Sequence, residues 1–180
     1  QSFTSFPSLE TPESERHPDL WRQVVGEMSP GSLVLVATPD EYHNEMVRFA
    51  LEHDQHVLCV KPLVHCHQQA MEIAEMARQR GLFVGVEYHK RFDRRSLEAR
   101  DLYRQGRFGQ FVCGDARLVE PYYYRYSNFQ NWFTTDKTDP FTYIGCHYVD
   151  LVYFITGLRS VEVAVRGVEI PFPNGNPAYM

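Results

Sequence analysis

A chain of 180 residues with a formal net charge of −5 can bury one good core or parts of two domains. Its hydrophobic share of 43% and charged share of 23% are those of an ordinary soluble globular protein, and the acidic balance argues against a nucleic-acid partner. No apolar run approaches membrane-spanning length, and the opening "QSFTSFPSLETPESERHPD" has neither the basic nor the apolar region of a secretory signal.

The first stretch, residues 1–19, is rich in Ser, Thr, Pro and Glu and reads as an irregular lead-in. "DLWRQVVGEM" predicts a short helix. "SLVLVA", Ser32 to Ala37, is a continuous apolar run of strand length, the kind covered on both faces of a parallel sheet. After "TPD", Asp40 is placed to cap a helix over residues 41–52 that carries His43, Val47 and Ala50 on one stripe. "HVLCV" is a second strand. A second helix over 67–80 shows a narrow stripe of Ala70, Ile73, Ala74 and Ala77, with Gly81 to end it, and "LFVGVE" is a third strand. Strand, helix, strand, helix, strand with short joins predicts parallel crossovers of a doubly wound α/β sheet.

The pattern changes near residue 90. "RRSLEARDLYRQG" predicts an exposed helix and "QFVCGDARLVE" a long strand. "SNFQNWFTTDKTDP" is a loop, "FTYIGCHYVDLVYFITG" a helix closed by Gly157, and "SVEVAVRGVEI" alternates with Val161, Val163 and Val165 on one face. Residues 91–180 therefore read as part of an α+β domain with an antiparallel sheet. The aromatic-rich "PYYYRY" suggests sheet or subunit packing, hence a homo-oligomer, dimer or tetramer. The scattered Cys59, Cys66, Cys113 and Cys146 fit reduced thiols in the cytoplasm better than a disulfide framework.

In open α/β sheets ligands sit beyond the carboxyl ends of the strands. Three strand ends here, "TPD", "VKPL" and "YHKRFD", carry Thr38, Lys61, His89, Lys90 and Arg91, making a polar, cationic rim. Pro62 stiffens the turn that holds Lys61. On the late helix Tyr143, His147 and Asp150 are spaced i, i+4, i+7 and share a face. Asp150 is placed to orient His147, and Gly145 lets something approach the backbone closely. Lysine, imidazole and phenol meeting at a crevice suit proton-coupled redox chemistry.

Each of these residues also has a plainer role. Lys61 can be a solvated loop lysine, and His147 with Asp150 a satisfied core pair. "HCH" at 65–67, with Cys59 and His56 nearby, raises a metal-dependent hydrolase or lyase using His65, Cys66 and His67, but lacks a second ligand element. The expectation is no metal.

In order, "VATPDEYHNEMVRFAL", "HVLCVKPL", "GLFVGVEYHKRFD" and "GCHYVDLVYFITG" make the chain resemble the Gfo/Idh/MocA oxidoreductases, over residues 32–168. The resemblance implies a partial Rossmann-like dinucleotide-binding domain over 1–90 and a partial substrate and oligomerisation domain over 91–180. It implies an NAD(P)-dependent dehydrogenase oxidising a secondary hydroxyl of a sugar, cyclitol or related polyol. Lys61 becomes the catalytic lysine, and His147, or Tyr143 beside it, the proton acceptor. Thr38, Pro39, His43, Lys61 and Pro62 fall on the cofactor side, where NAD or NADP binds. Arg91, Trp132, His147 and Asp150 fall on the substrate side. Three departures stand out. The usual glutamate before Lys-Pro is Val60, an aspartate common four residues before the histidine is Tyr143, and no Gly-x-Gly-x-x-Gly turn precedes Ser32. The chain accordingly reads as an internal piece of a longer protein. Val60 and Tyr143 also motivate a rival reading, a catalytically silent relative that binds a sugar or nucleotide.

Overall fold

The computed structural model describes residues 3–179. Three parallel strands, β1 (Leu33–Val36), β2 (His56–Val60) and β3 (Val84–Glu87), lie in the order β1-β2-β3. The register aligns Val34, Val57 and Val84 in one row and Val36, Cys59 and Val86 in the next on the same face. Before the sheet comes α1 (Leu20–Glu27). The connections are α2 (His43–Glu52) and α3 (His67–Arg80), which pack on each other and on this face. Val36, Val47, Ala50, Leu51, Val57, Cys59, Ile73 and Ala77 form the resulting core. Burying Val47, Leu51, Val57 and Ile73 stabilises the fold by roughly 1.5–3 kcal/mol each. Gly81 ends α3 at φ +65°, a left-handed conformation that costs glycine nothing.

Where both faces of the sheet were expected to be covered, one is open. Leu33 and Leu35 are 57% and 62% exposed, and Phe83 is 58% exposed. With the strand order β1-β2-β3, α2 and α3 lie against each other on a single face.

Asp40 does not cap α2. A 3₁₀ turn, Asp40–Tyr42, precedes the helix, and the Asp40 carboxylate turns inward to accept a bond from Thr138 Oγ1 at 2.9 Å. Beyond β3 come a 3₁₀ turn (His89–Phe92), α4 (Arg94–Arg104), a 3₁₀ turn (Tyr122–Tyr126), α5 (Phe129–Trp132), a π turn (Phe141–Gly145) and α6 (Cys146–Thr156). "PYYYRY" is therefore a 3₁₀ turn rather than part of a sheet.

The antiparallel sheet expected from "QFVCGDARLVE" and "SVEVAVRGVEI" is represented among the described residues by one bridge, Glu169 to Tyr179. A period-2 pattern becomes a strand only when a neighbour completes its ladder and a layer covers its apolar face. Neither condition is met, and Val112, Val119 and Val161 stand 88%, 89% and 100% exposed. Among the described residues no helix is long and apolar enough to cross a membrane.

Candidate active site

β2 delivers Lys61 to the carboxyl edge of the sheet, where it is only 9% exposed. Its Nζ donates to the main-chain carbonyl of Tyr143 at 2.5 Å and lies 3.7 Å from the centre of the Tyr143 ring. Phe129, Trp132 and Phe133 pack around that ring with centroids 5.7, 5.4 and 5.5 Å away. Burial is the main cause that lowers the Lys61 pKa from its ordinary value, with Cys146, Asp40 and Glu87 opposing and Lys90 adding to it.

His147 follows on α6 and is 1% exposed. Its ring meets His89 edge-on at 4.6 Å and Tyr88 at 5.8 Å. Burial first, then the charges of Lys61, His89 and Lys90, bring its pKa down to about 4, so the imidazole is neutral at pH 7. Its Nδ1 is buried with no hydrogen-bond partner. Burial also raises the Tyr143 pKa, which keeps that phenol protonated. Gly145 serves a close approach within this helix: a Cβ there would sit 3.0 Å from the Phe141 ring.

Asp150 is not the orienting partner of His147. Its carboxylate takes a two-pronged grip from Arg91, with Nε donating at 2.7 Å and Nη2 at 2.5 Å. A fork of five fixed donors outcompetes a neutral imidazole for a carboxylate. Arg91 and Asp150 thus engage each other and pin α6 to the turn after β3. Thr138 to Asp40, Lys137 to Glu41 at 3.2 Å and Lys61 to Tyr143 tie the same two halves of the chain. Arg91→Leu would leave the mostly buried Asp150 carboxylate without its cation. It is expected to lower stability in urea by about 2–3 kcal/mol, between the exposed and fully buried cases. Arg91→Leu with Asp150→Asn should lose less than the sum of the two single changes. An additive result would mean the pair does not clamp the helix.

His43, expected on the cofactor side, is fully buried. Its Nδ1 faces the Pro62 carbonyl at 2.7 Å and its Nε2 the Thr38 carbonyl at 2.8 Å. It therefore braces the turns after β1 and β2 from below and has no surface to offer a ligand. Thr38 and Pro39 remain half-exposed at the end of β1, next to the Lys61–Pro62 turn. Trp132 is a wall of the aromatic box. Asp40 and the aromatic box were missed in the sequence. A carboxylate inside "ATPDEYH" and the run "NFQNWF" were their only signals. His65 Nε2 faces Asp40 at 3.5 Å, and among the described residues no three His, Cys, Asp or Glu side chains converge on a metal position.

Residues 10–88 match the Gfo/Idh/MocA pattern, described as an oxidoreductase family with an NAD-binding Rossmann fold. Over those residues, a little under half of its length, the chain is similar to the Gfo/Idh/MocA oxidoreductases. Among its relatives, the D-glucoside 3-dehydrogenase of Escherichia coli K12 is 28% identical over 72% of this chain and 37% of its own length. The myo-inositol 2-dehydrogenase of Lactobacillus plantarum superposes with a TM-score of 0.68 at 19% identity, over 76% of this chain and 40% of that one. The scyllo-inositol dehydrogenase of Lactobacillus casei, solved with NAD(H) and scyllo-inositol, gives 0.63 at 20% identity over the same 76% and 40%. At those identities the likeness of the two structures is one of fold. The chain spans about two-fifths of the length of these relatives.

Proposed function

We propose that the protein is an NAD(P)-dependent oxidoreductase that oxidises a secondary hydroxyl of a sugar, cyclitol or related polyol. One observation carries the reading. A desolvated lysine at a strand end and a neutral, buried histidine with an unpartnered nitrogen lie within electrostatic reach of each other at the carboxyl edge of a parallel sheet, where such sheets bind ligands. Two relatives support it, one a D-glucoside 3-dehydrogenase and another a scyllo-inositol dehydrogenase solved with NAD(H) and scyllo-inositol.

The residues present fit the nicotinamide end of the cofactor. Thr38 Oγ1 has only a 3.6 Å contact with Met46 sulfur, so its hydroxyl is free to turn to a ligand beside Lys61. The cradle for the pyrophosphate is not among these 180 residues. When bound, the nicotinamide supplies the hydride acceptor. Lys61 bonds the reacting oxygen and stabilises its developing negative charge, and its lowered pKa lets the amine exchange the hydroxyl proton. His147, uncharged at neutral pH, offers an acceptor nitrogen that orients the hydroxyl. The Arg91–Asp150 clamp keeps α6, and with it His147, over the strand ends.

The test is a cofactor titration of the protein at the full length its gene encodes, followed by a screen of glucosides, cyclitols and polyols at the nicotinamide absorbance. Reduction of the cofactor by any of them supports the reading. Binding of sugar or cofactor without turnover would overturn it in favour of a silent relative, the reading that Val60 and Tyr143 motivate.

A further inference from the structure

We propose that Tyr143 is a positioning residue for Lys61, acting through the face of its ring and its main-chain carbonyl and not through its hydroxyl. Only the kinetic consequence of this proposal rests on the dehydrogenase reading.

The geometry is specific. Nζ stands 3.7 Å from the ring centre, over the face, within the range where the ring's negative quadrupole attracts a cation. The same nitrogen donates to the carbonyl of the same residue at 2.5 Å. Phe129, Trp132 and Phe133 meet the ring edge-on, at interplanar angles of 82°, 69° and 83°, so its plane has little freedom to turn. The ring is therefore a fixed shelf under the ammonium.

The charged and titratable groups around Lys61 leave that shelf as its main support. Asp40, in the turn before α2, is committed to Thr138 and His65. Glu87, at the end of β3, faces His89 at 3.3 Å. From α6, the Cys146 thiol is held neutral by burial and His147 is neutral, while Lys90 repels. A π face holds an ammonium less firmly than a carboxylate at the same distance, so the shelf fixes where the nitrogen sits without locking its proton on. That is the setting a proton-exchanging lysine requires.

Lysine occurs only at Lys61, Lys90 and Lys137, so a chain labelled with ¹³C,¹⁵N-lysine shows three side-chain signals, and Lys61→Arg identifies the one sought. In the parent and in Tyr143→Phe, the Lys61 ε-protons should show the upfield displacement of a group above an aromatic face, with the same titration midpoint. In Tyr143→Leu the displacement should vanish, and the midpoint should fall by roughly half to one pH unit as the cation loses the ring. A fall in Tyr143→Phe as large as in Tyr143→Leu would make the hydroxyl the partner and overturn the proposal. So would a Tyr143→Leu variant with neither change. If the leucine variant does not fold, the parent spectrum decides: ε-protons without the upfield displacement sink the proposal. No nicotinamide reaction is read, so these outcomes are independent of whether the protein is a dehydrogenase.

Discussion

Lys61→Met is expected to lower turnover at least ~100-fold, the scale on which a proton-exchanging or charge-stabilising group is lost, while barely moving thermal unfolding. Methionine matches the lysine stem in length and can lie on the same aromatic shelf. What it removes is an ammonium whose burial opposes its charge. The sign of the pH dependence follows. With the folded pKa below the unfolded value near 10.4, the folded chain binds fewer protons between the two. Stability therefore rises as pH climbs through that window, and the methionine variant should lose the rise. Turnover is measured on a preparation that reduces the nicotinamide cofactor, and unfolding on the 180-residue chain. A variant that turns over normally, or that melts many degrees lower, would take Lys61 out of the chemistry and make it structural.

His147→Leu is expected to cost at least ~100-fold in turnover and to change acid stability in the opposite sense to an ordinary core substitution. The imidazole is neutral when folded, with a pKa of about 4, and returns to ~6.5 when the chain unfolds. The stability linked to this group is therefore full above pH ~6.5 and declines as pH falls toward 4, because the unfolded chain binds the proton first. Leucine cannot titrate, so the variant should hold its urea midpoint better than the parent across that window. Its single buried polar atom without a partner, Nδ1, is also removed, which favours the variant at every pH. A parent and variant that lose stability in parallel on acidification would mean that His147 takes up its proton at the same pH folded as unfolded.

The readings that survived contact with the structure are those in which neighbours in sequence decide the outcome. Continuous apolar runs bounded by Gly81 or Pro62 specify β2, β3 and α3 because a strand or helix of that kind needs only its own period and a stop. The convergence of Lys61 with the 141–157 helix also showed, through two motifs with distinctive chemistry. What stayed hidden depends on partners far along the chain. Asp40 read as a cap because Ser, Thr, Asn and Asp so often are, yet its partner Thr138 lies 98 residues away. Asp150 sat at the right spacing to serve His147, but the guanidinium that claims it comes from the turn after β3. His43 lay on an apolar stripe and proved to be a brace between two carbonyls. The alternating valines of 161–165 were legible as a pattern, but a pattern does not state what will cover it.

The π turn at Phe141–Gly145 gives the helix one residue more than an α-helical path needs. Loss of a single residue there, Ile144 for instance, would let the segment run on as a regular α-helix, with better-aligned backbone bonds and a locally firmer structure. The residues before Phe141 would keep nearly their phase relative to α6, because the extra residue and the wider turn cancel, but Tyr143, inside the turn, would shift by one place along it. Tyr143 would then carry its ring and carbonyl off the end of Lys61, while His147, on the far side of the deletion, stayed where it is. Gly145 leaves room in this turn for the Phe141 ring, which packs where a Cβ would go. A shortening that makes the helix more regular would thus take the shelf from under Lys61 while leaving His147 in place.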